Sequence, residues 1–466
     1  MIGTSLTARA FVPMGLVLGG ATIGLLAVRS PFAAVAAVAG LGFVVALLWN
    51  LVAGLSLFTL IIFFDQLGSG ASVVKLAGLL LTVAWIVTLL RTDHAVPFMP
   101  RERPALAYAG GLFAAWAAFS ILWAADSGAA STTAFRLALN FILFLLVFSA
   151  LENVGSVRMI MLAYIAGAML TSLYGVGTGT TQADTEGRLG GGIGDPNELA
   201  ALILPGLVFA VFLLALERRF AMRLWLAASC LMFIATILLT QSRGGVVALG
   251  VVIMAGLAFG GPLRGRIAAA ALALAAVAVV VFVLIAPPSS LGRLGSFRGG
   301  GGTGRLDLWK VATQVIGDHP IAGVGAGNFP VVEPRYAASA GNLARVDLVL
   351  DDTKVVHNTY LNILTDLGFV GFLAFLALIA GIVYSTIQSI RRFDANGDRA
   401  AGLLGRATLI GTLGMLGAFT FLSAQYEKQL WLVLGLAAAL SSSSFQKRAE
   451  VASPPGLPVR SSLHSI

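Results

Sequence analysis

The chain has 466 residues, of which 58% are hydrophobic and only 11% charged, with a formal net charge of +9 and a mean hydropathy of +0.92. Ordinary soluble domains carry roughly 25% charged residues, so this composition excludes a soluble enzyme of two or three domains. Apolar runs close to the ~20 residues that cross a bilayer as a helix recur from end to end, and the positive balance reports topology rather than nucleic-acid binding.

The first run lies in "MIGTSLTARAFVPMGLVLGGATIGLLAV". It has the charge and apolar core of a signal peptide but no A-x-A-like cleavage site close behind, so it reads as a retained first span, 11–28. Further spans are expected at 32–48, 50–64, 74–90, 105–123, 134–151, 157–175, 198–216, 223–240, 244–260, 267–286, 359–389, 403–421 and 427–441. Asn50 is the only strong break between the second and third, so the count is about 12–14 transmembrane helices. The fold class is all-α, a polytopic integral membrane protein. Fifty-five glycines suit close helix packing. The single cysteine, Cys230, sits in "LAASCLMFIATILL" and reads as an apolar packing residue.

Basic residues in short loops set the orientation. The segments 91–104, 217–223, 262–266 and 391–406 are all rich in Lys or Arg, and alternation from span to span puts them on one face, the cytoplasmic one. The chain then divides into transmembrane helices with short loops (1–286), one long periplasmic loop (287–357), C-terminal transmembrane helices (358–441) and a disordered cytoplasmic tail (442–466). No repeat of 20–50 residues is evident.

The face opposite the basic loops carries the unusual polar residues. Arg243, in "TQSRGGVVALG", stands at the mouth of an apolar run. Arginines at membrane edges commonly snorkel to headgroups, but this one lies where the positive-inside bias disfavours it. Gly244 and Gly245 permit close backbone approach at a helix start, a natural anion site. Arg188 precedes "LGGGIGDPNELA", where Asp195, Pro196 and Asn197 read as a turn into a helix with Asp195 as its N-cap. Capping explains Asp195 without function and leaves Arg188 unexplained.

Arg305 closes "GGGGTGR", which lacks the Lys and Ser/Thr of a phosphate-binding P-loop. "GVGAGN" has no strand–helix–strand frame and fails as a dinucleotide fingerprint. The alternation of Leu306, Trp309, Val311 and Val315 predicts a half-buried amphipathic helix over 305–316. His357 opens "HNTYLNILTDLGFVG", with Asn358 as a helix-start polar group. A lone histidine is more often structural than catalytic; this one titrates near working pH and shares its face with three arginines. His319, among Pro and Gly, reads as turn chemistry. Asp184/Glu186 and Asp351/Asp352 are the only candidate cation ligands and read as solvated loop acids. No nucleophile-elbow pattern is present.

Together "QSRGG", "GRLDLWKVATQVIGDHPIAGVGAGNF" and "HNTYLNILTDLGFVG" resemble the O-antigen ligase and polymerase superfamily, bacterial inner-membrane glycosyltransferases of the GT-C type. The motifs occur in the family's order across residues 188–371. The resemblance implies transfer of a glycan from undecaprenyl diphosphate to a glycan or lipid A-core acceptor hydroxyl on the periplasmic face, with no cofactor, metal or nucleotide. It implies Arg188, Arg243 and Arg305 as diphosphate-binding residues and His357 as the catalytic histidine, with Asn197, Trp309 and Asn358 supporting them. Asp366 departs from the glutamate common in the family but keeps the acid. The clean three-motif pattern favours a ligase over a polymerase of O-antigen or exopolysaccharide. A transporter or flippase of lipid-linked saccharides is a rival of another class; it would show broken midplane helices and internal repeats.

Overall fold

The computed structural model describes residues 31–65, 70–91, 97–178, 188–285, 305–339, 343, 354–443 and 445–446. The expected span 11–28, both acidic pairs (Asp184/Glu186 and Asp351/Asp352) and the tail beyond Gln446 lie outside them. Among the described residues the regular structure is entirely helical. In chain order the helices are α1 (Pro31–Trp49), α2 (Leu51–Ile61), α3 (Gly70–Arg91), α4 (Met99–Glu102), α5 (Pro104–Phe119), α6 (Ser127–Ala150), α7 (Val154–Thr178) and α8 (Pro196–Leu216). They continue as α9 (Phe220–Leu239), α10 (Arg243–Phe259), α11 (Arg264–Ile285), α12 (Arg305–Asp318), α13 (Phe329–Ser339), α14 (Thr359–Ala395), α15 (Arg399–Ala418) and α16 (Lys428–Ala439).

Each expected span after the first coincides with one of these helices. Eight are long and apolar enough to cross a membrane among the described residues, with a ninth if α10 and the start of α11, bent by 114°, count as one span. The lower number has a physical reason. Residues 51–64 and 428–439 are short apolar helices, and twelve residues rise only ~18 Å against a ~30 Å hydrocarbon core. Even so, α16 joins the two ends of the bundle. Lys428 pairs with Asp65 at 2.6 Å at one end, and the Ser441 carbonyl accepts from Arg103 at the other.

Packing centres on α8 and α15. Of their apolar windows 78% and 89% are buried, against 22% for α3 at the periphery. Pro205 sits inside α8, where Gly411 of α15 lies against it. Such small-residue contacts replace the hydrophobic drive that water supplies to soluble bundles.

The basic segments gather at one end. There Arg158 pairs with Glu217, Arg406 with Asp394, and the Ser443 amide donates to Glu102. The starts of α6, α8, α10 and α14 lie at the other end, capped by Asp126, Asp195, Ser242 and Asn358. Each cap side chain accepts from helix-start amides that have no partner within the helix.

Candidate functional site

The stretch before α8 folds back onto the end of α9. Gly191 (φ 60°) and Gly194 (φ 90°) take left-handed conformations that only glycine adopts easily, and the Leu189 amide donates to the Leu239 carbonyl at 3.2 Å. Arg188 is thereby fixed. Its Nε donates to the Thr240 carbonyl at 2.9 Å and one Nη to Asn197 Oδ1 at 3.0 Å. The same Asn197 oxygen accepts from Ser242 Oγ at 2.9 Å, and Ser242 Oγ caps α10 by accepting from the Gly245 amide. One amide oxygen therefore ties the Arg188 turn to the helix whose first residue is Arg243.

Arg243 itself is exposed on that face. The glycines behind it give the close approach expected at this helix start. A Cβ on Gly245 would meet Ala200 at 2.8 Å and one on Gly244 would meet Phe421 at 3.0 Å, so they let α10 approach α8 and the end of α15. Gln241, two residues earlier, has φ 49°, a backbone state that costs a non-glycine residue about 1–2 kcal/mol.

His357 is the other non-glycine residue with positive φ among those described, at 52°. Its surroundings hold it from several directions. Trp309 Nε1 donates to the Val356 carbonyl at 3.1 Å. Asn358 caps α14, its Oδ1 accepting from the Tyr360 and Leu361 amides. Thr359 Oγ1 donates to the Leu422 carbonyl at 2.7 Å. Arg305 begins α12, whose buried face is Asp307, Leu308, Val311, Ala312 and Val315. Leu306, expected on that face, is exposed instead and Trp309 half-buried. The helix turns its Asp307 inward, where Lys310 pairs with it at 3.5 Å.

Electrostatics link these segments. Burial holds the Arg305 guanidinium below its ordinary value; the Asp195 charge opposes this, and the positive charges of Arg188 and Arg243 reinforce it. Burial likewise lowers the His357 imidazole, helped by Arg305 and Lys354 and opposed by Asp195. Arg188, Arg243, Arg305 and His357 thus share one neighbourhood, although they come from four separated parts of the chain. Asp195 belongs to it as well. It is the N-cap expected, accepting from the Asn197 and Glu198 amides, and among the described residues also the one carboxylate that acts on both Arg305 and His357.

Beneath lies a feature the sequence did not disclose. The "GVGAGN" turn, with positive φ at Gly323, Gly325 and Gly327, is stitched into α14. The Val324 and Gly325 amides donate to the Thr365 and Asp366 carbonyls, both at 2.9 Å. Buried Asp366 accepts from the Gly327 and Phe329 amides at 3.0 Å, from Asn362 Nδ2 at 2.7 Å and from Tyr426 OH at 3.1 Å. Here α14 breaks its helical geometry at Gly368 (φ 63°, ψ −166°), and the Phe369 amide donates to Pro320 instead. The glycines bind backbone to backbone, which is why no nucleotide fingerprint frames them. The signal available was Asp366, an acid inside an apolar helix pattern. His319 is exposed in the turn that ends α12.

Chemically, the face offers clustered guanidinium groups suited to a dianion beside an imidazole biased to its neutral, proton-accepting form. Among the described residues no group of three or more His, Cys, Asp or Glu is arranged to hold a metal ion. The chain matches no curated protein. A family model described as O-Antigen ligase matches residues 227–376, a stretch that contains Arg243, Arg305, Trp309, His357 and Asn358 and leaves Arg188 and Asn197 before it. That match covers about a third of the chain and supports the resemblance to the O-antigen ligase and polymerase superfamily over that stretch.

Proposed function

We propose that the protein is an O-antigen ligase-like glycosyltransferase of the bacterial inner membrane. It moves a glycan from undecaprenyl diphosphate to an acceptor hydroxyl of lipid A-core or another surface glycan, on the periplasmic face. The observation that carries the reading is the meeting of three arginines and His357 at the end of the bundle away from the basic loops. In this reading the arginines bind the donor diphosphate and stabilise the charge it gains as the glycosyl C–O bond breaks, often the largest catalytic contribution. The acceptor oxygen attacks the anomeric carbon, its proton passes to neutral His357, and the lipid diphosphate leaves. In-line attack inverts the anomeric configuration.

A polymerase of repeat units would use the same donor chemistry and differ in its acceptor. The ligase reading rests on the motif pattern and is tested by the product made in cells: glycan on a single acceptor, or a lengthened lipid-linked polymer. The site is tested with purified protein, lipid-diphosphate-linked glycan and acceptor. His357→Ala and Arg243→Ala should each abolish most transfer while remaining folded. Unchanged transfer in both folded variants refutes the assignment.

A further inference from the structure

The connection between α15 and α16 buries polar groups that the transfer reaction does not use. Among the described residues nine buried side-chain nitrogen or oxygen atoms have no hydrogen-bond partner, and four of them fall within residues 423–429. They are Ser423 Oγ, both polar atoms of the Gln425 amide and Gln429 Oε1. Gln425 is 1% exposed, and its nitrogen approaches the Tyr426 hydroxyl without reaching hydrogen-bonding geometry. That hydroxyl already donates to Asp366 Oδ2 at 3.1 Å. Buried polar groups in folded proteins nearly always have partners, and an amide with none is a costly choice for packing. A methionine would fill a similar volume without that cost. The backbone here is well anchored, since the Gln425 carbonyl accepts from Trp431 Nε1 at 2.9 Å and the Tyr426 carbonyl from Asn140 Nδ2 at 2.8 Å. The segment is held in place while its side-chain groups go unused.

Its position is set by direct contacts with both halves of the candidate site. The Thr359 hydroxyl, two residues after His357, donates to the Leu422 carbonyl at 2.7 Å and accepts from the Ala424 amide at 2.9 Å. Phe421, just before, packs against the first turn of α10: its Cβ lies 3.0 Å from where a Cβ on Gly244 would sit. Residues 421–425 therefore run between the helix start that carries Arg243 and the one that follows His357. Ser423, Tyr426 and Glu427 are half-buried, so the segment keeps an accessible face. Glu427 stands at the N-cap of α16 without its side chain making a cap bond.

We propose that residues 423–427 form the subsite for the acceptor sugar, where Ser423 and the Gln425 amide bond the hydroxyl or acetamido groups next to the attacking oxygen. The proposal rests on the transfer reading, in which the arginines take the donor diphosphate and His357 the acceptor's proton. That reading leaves the acceptor ring without a recognition element. A sugar hydroxyl both donates and accepts, and a primary amide offers a donor and an acceptor side by side. In-line attack brings the acceptor to the anomeric carbon from the side away from the diphosphate, and Thr359 fixes residues 422–424 to the chain that carries His357. Gln425 reaches the ring by turning its side chain toward the face that Ser423 occupies. With no bond at hydrogen-bonding geometry to break, that turn costs little. Polar groups kept without partners until substrate arrives are a form of the exchange of stability for function.

The experiment uses the full-length protein in detergent with two probes: lipid A bearing only core sugars as acceptor, and an undecaprenyl-diphosphate-linked glycan as donor. Hydrogen–deuterium exchange over residues 422–429 is followed with each probe alone. The acceptor should slow exchange there and the donor should not. In transfer assays Gln425→Met should raise the acceptor KM about tenfold, the scale of one lost hydrogen bond, and leave the donor KM unchanged. Its melting temperature should hold or rise, because two unsatisfied groups are gone. Ser423→Ala should shift the acceptor KM in the same direction. An unchanged acceptor KM in folded Gln425→Met, the result for groups that hold only buried water, overturns the proposal. A raised donor KM in its place also overturns it, assigning the segment to the donor sugar. If Gln425→Met does not fold, the acceptor KM of Ser423→Ala decides by the same criteria. No slowing of exchange by the acceptor overturns the proposal whatever the kinetics show. Slowing by the acceptor without transfer in wild type would sustain the subsite and count against the transfer reading.

Discussion

At the scale of single residues, placement matters more than identity. His357 is held at φ 52° by a Trp309 bond before it, an Asn358 cap after it and Thr359 beyond. Strain of this kind, about 1–3 kcal/mol, persists where surrounding contacts over-determine it. His357→Ala should lower transfer by about 10²–10⁴-fold, the usual range for a general base, with little change in melting temperature. The lowered imidazole also sets a direction for pH. Transfer should hold as pH falls through the ordinary histidine range near 6.5 and fail only below it. Arg305→Gln, which removes a positive neighbour, should move that acid limb upward. Folding stability follows the same sign: below about 6.5 the unfolded chain takes up a proton that the folded imidazole resists, so stability declines with acidification. Asn197 is the residue on which two of the arginine-bearing segments depend. Asn197→Leu leaves Arg188 and Ser242 without their shared acceptor, and a donor titration should show weaker donor binding, by about tenfold for the loss of ~1–2 kcal/mol of charge-assisted bonding.

At the scale of elements, the critical joint is the glycine turn seated on the break in α14. Gly323 has φ 68°, and a Cβ there would run into the Asp366 backbone. Gly323→Ala therefore combines strain with a clash and should destabilise by about 2–4 kcal/mol. Asp366→Asn keeps the shape but turns one acceptor oxygen into a donor facing N–H or O–H groups, and each mismatched buried group costs about 1–3 kcal/mol. Both are read from melting temperature in detergent. This joint marks the limit of what the sequence disclosed. Runs of apolar residues disclosed the helices, because a span must satisfy its backbone internally and stay apolar outside. Arg188, Arg243, Arg305 and His357 stood out because they lie at the apolar edge opposite the basic loops, where the positive-inside bias disfavours arginine. Asp366 was not legible as a partner, since its contacts join segments that are distant in sequence. Leu306 differs for a related reason: α12 packs against α14 and buries Asp307 and Leu308, an orientation that periodicity alone does not reveal.

At the scale of the whole molecule, the chain is a helical bundle with chemically unequal ends. One end is stitched by Arg158–Glu217, Arg406–Asp394 and the Arg103–Ser441 contact; the other gathers the N-caps, the arginine cluster and His357. The positive-inside rule then predicts the orientation. With Cys230 replaced by Ala, a single cysteine at Asp318→Cys should react with an impermeant maleimide in cells with a permeabilised outer membrane. One at Asp398→Cys should react only after lysis. The reverse labelling would invert the topology and place the arginine cluster on the wrong side for a lipid-linked donor. The central claim is that the cluster breaks a glycosyl–diphosphate bond rather than carrying a lipid-linked saccharide across. The most direct measurement is the amount of lipid diphosphate released per glycan transferred by the purified protein. One released per glycan attached is predicted for wild type, and release near background for His357→Ala. Glycan movement without lipid diphosphate release, or equal release by the two proteins, would contradict it.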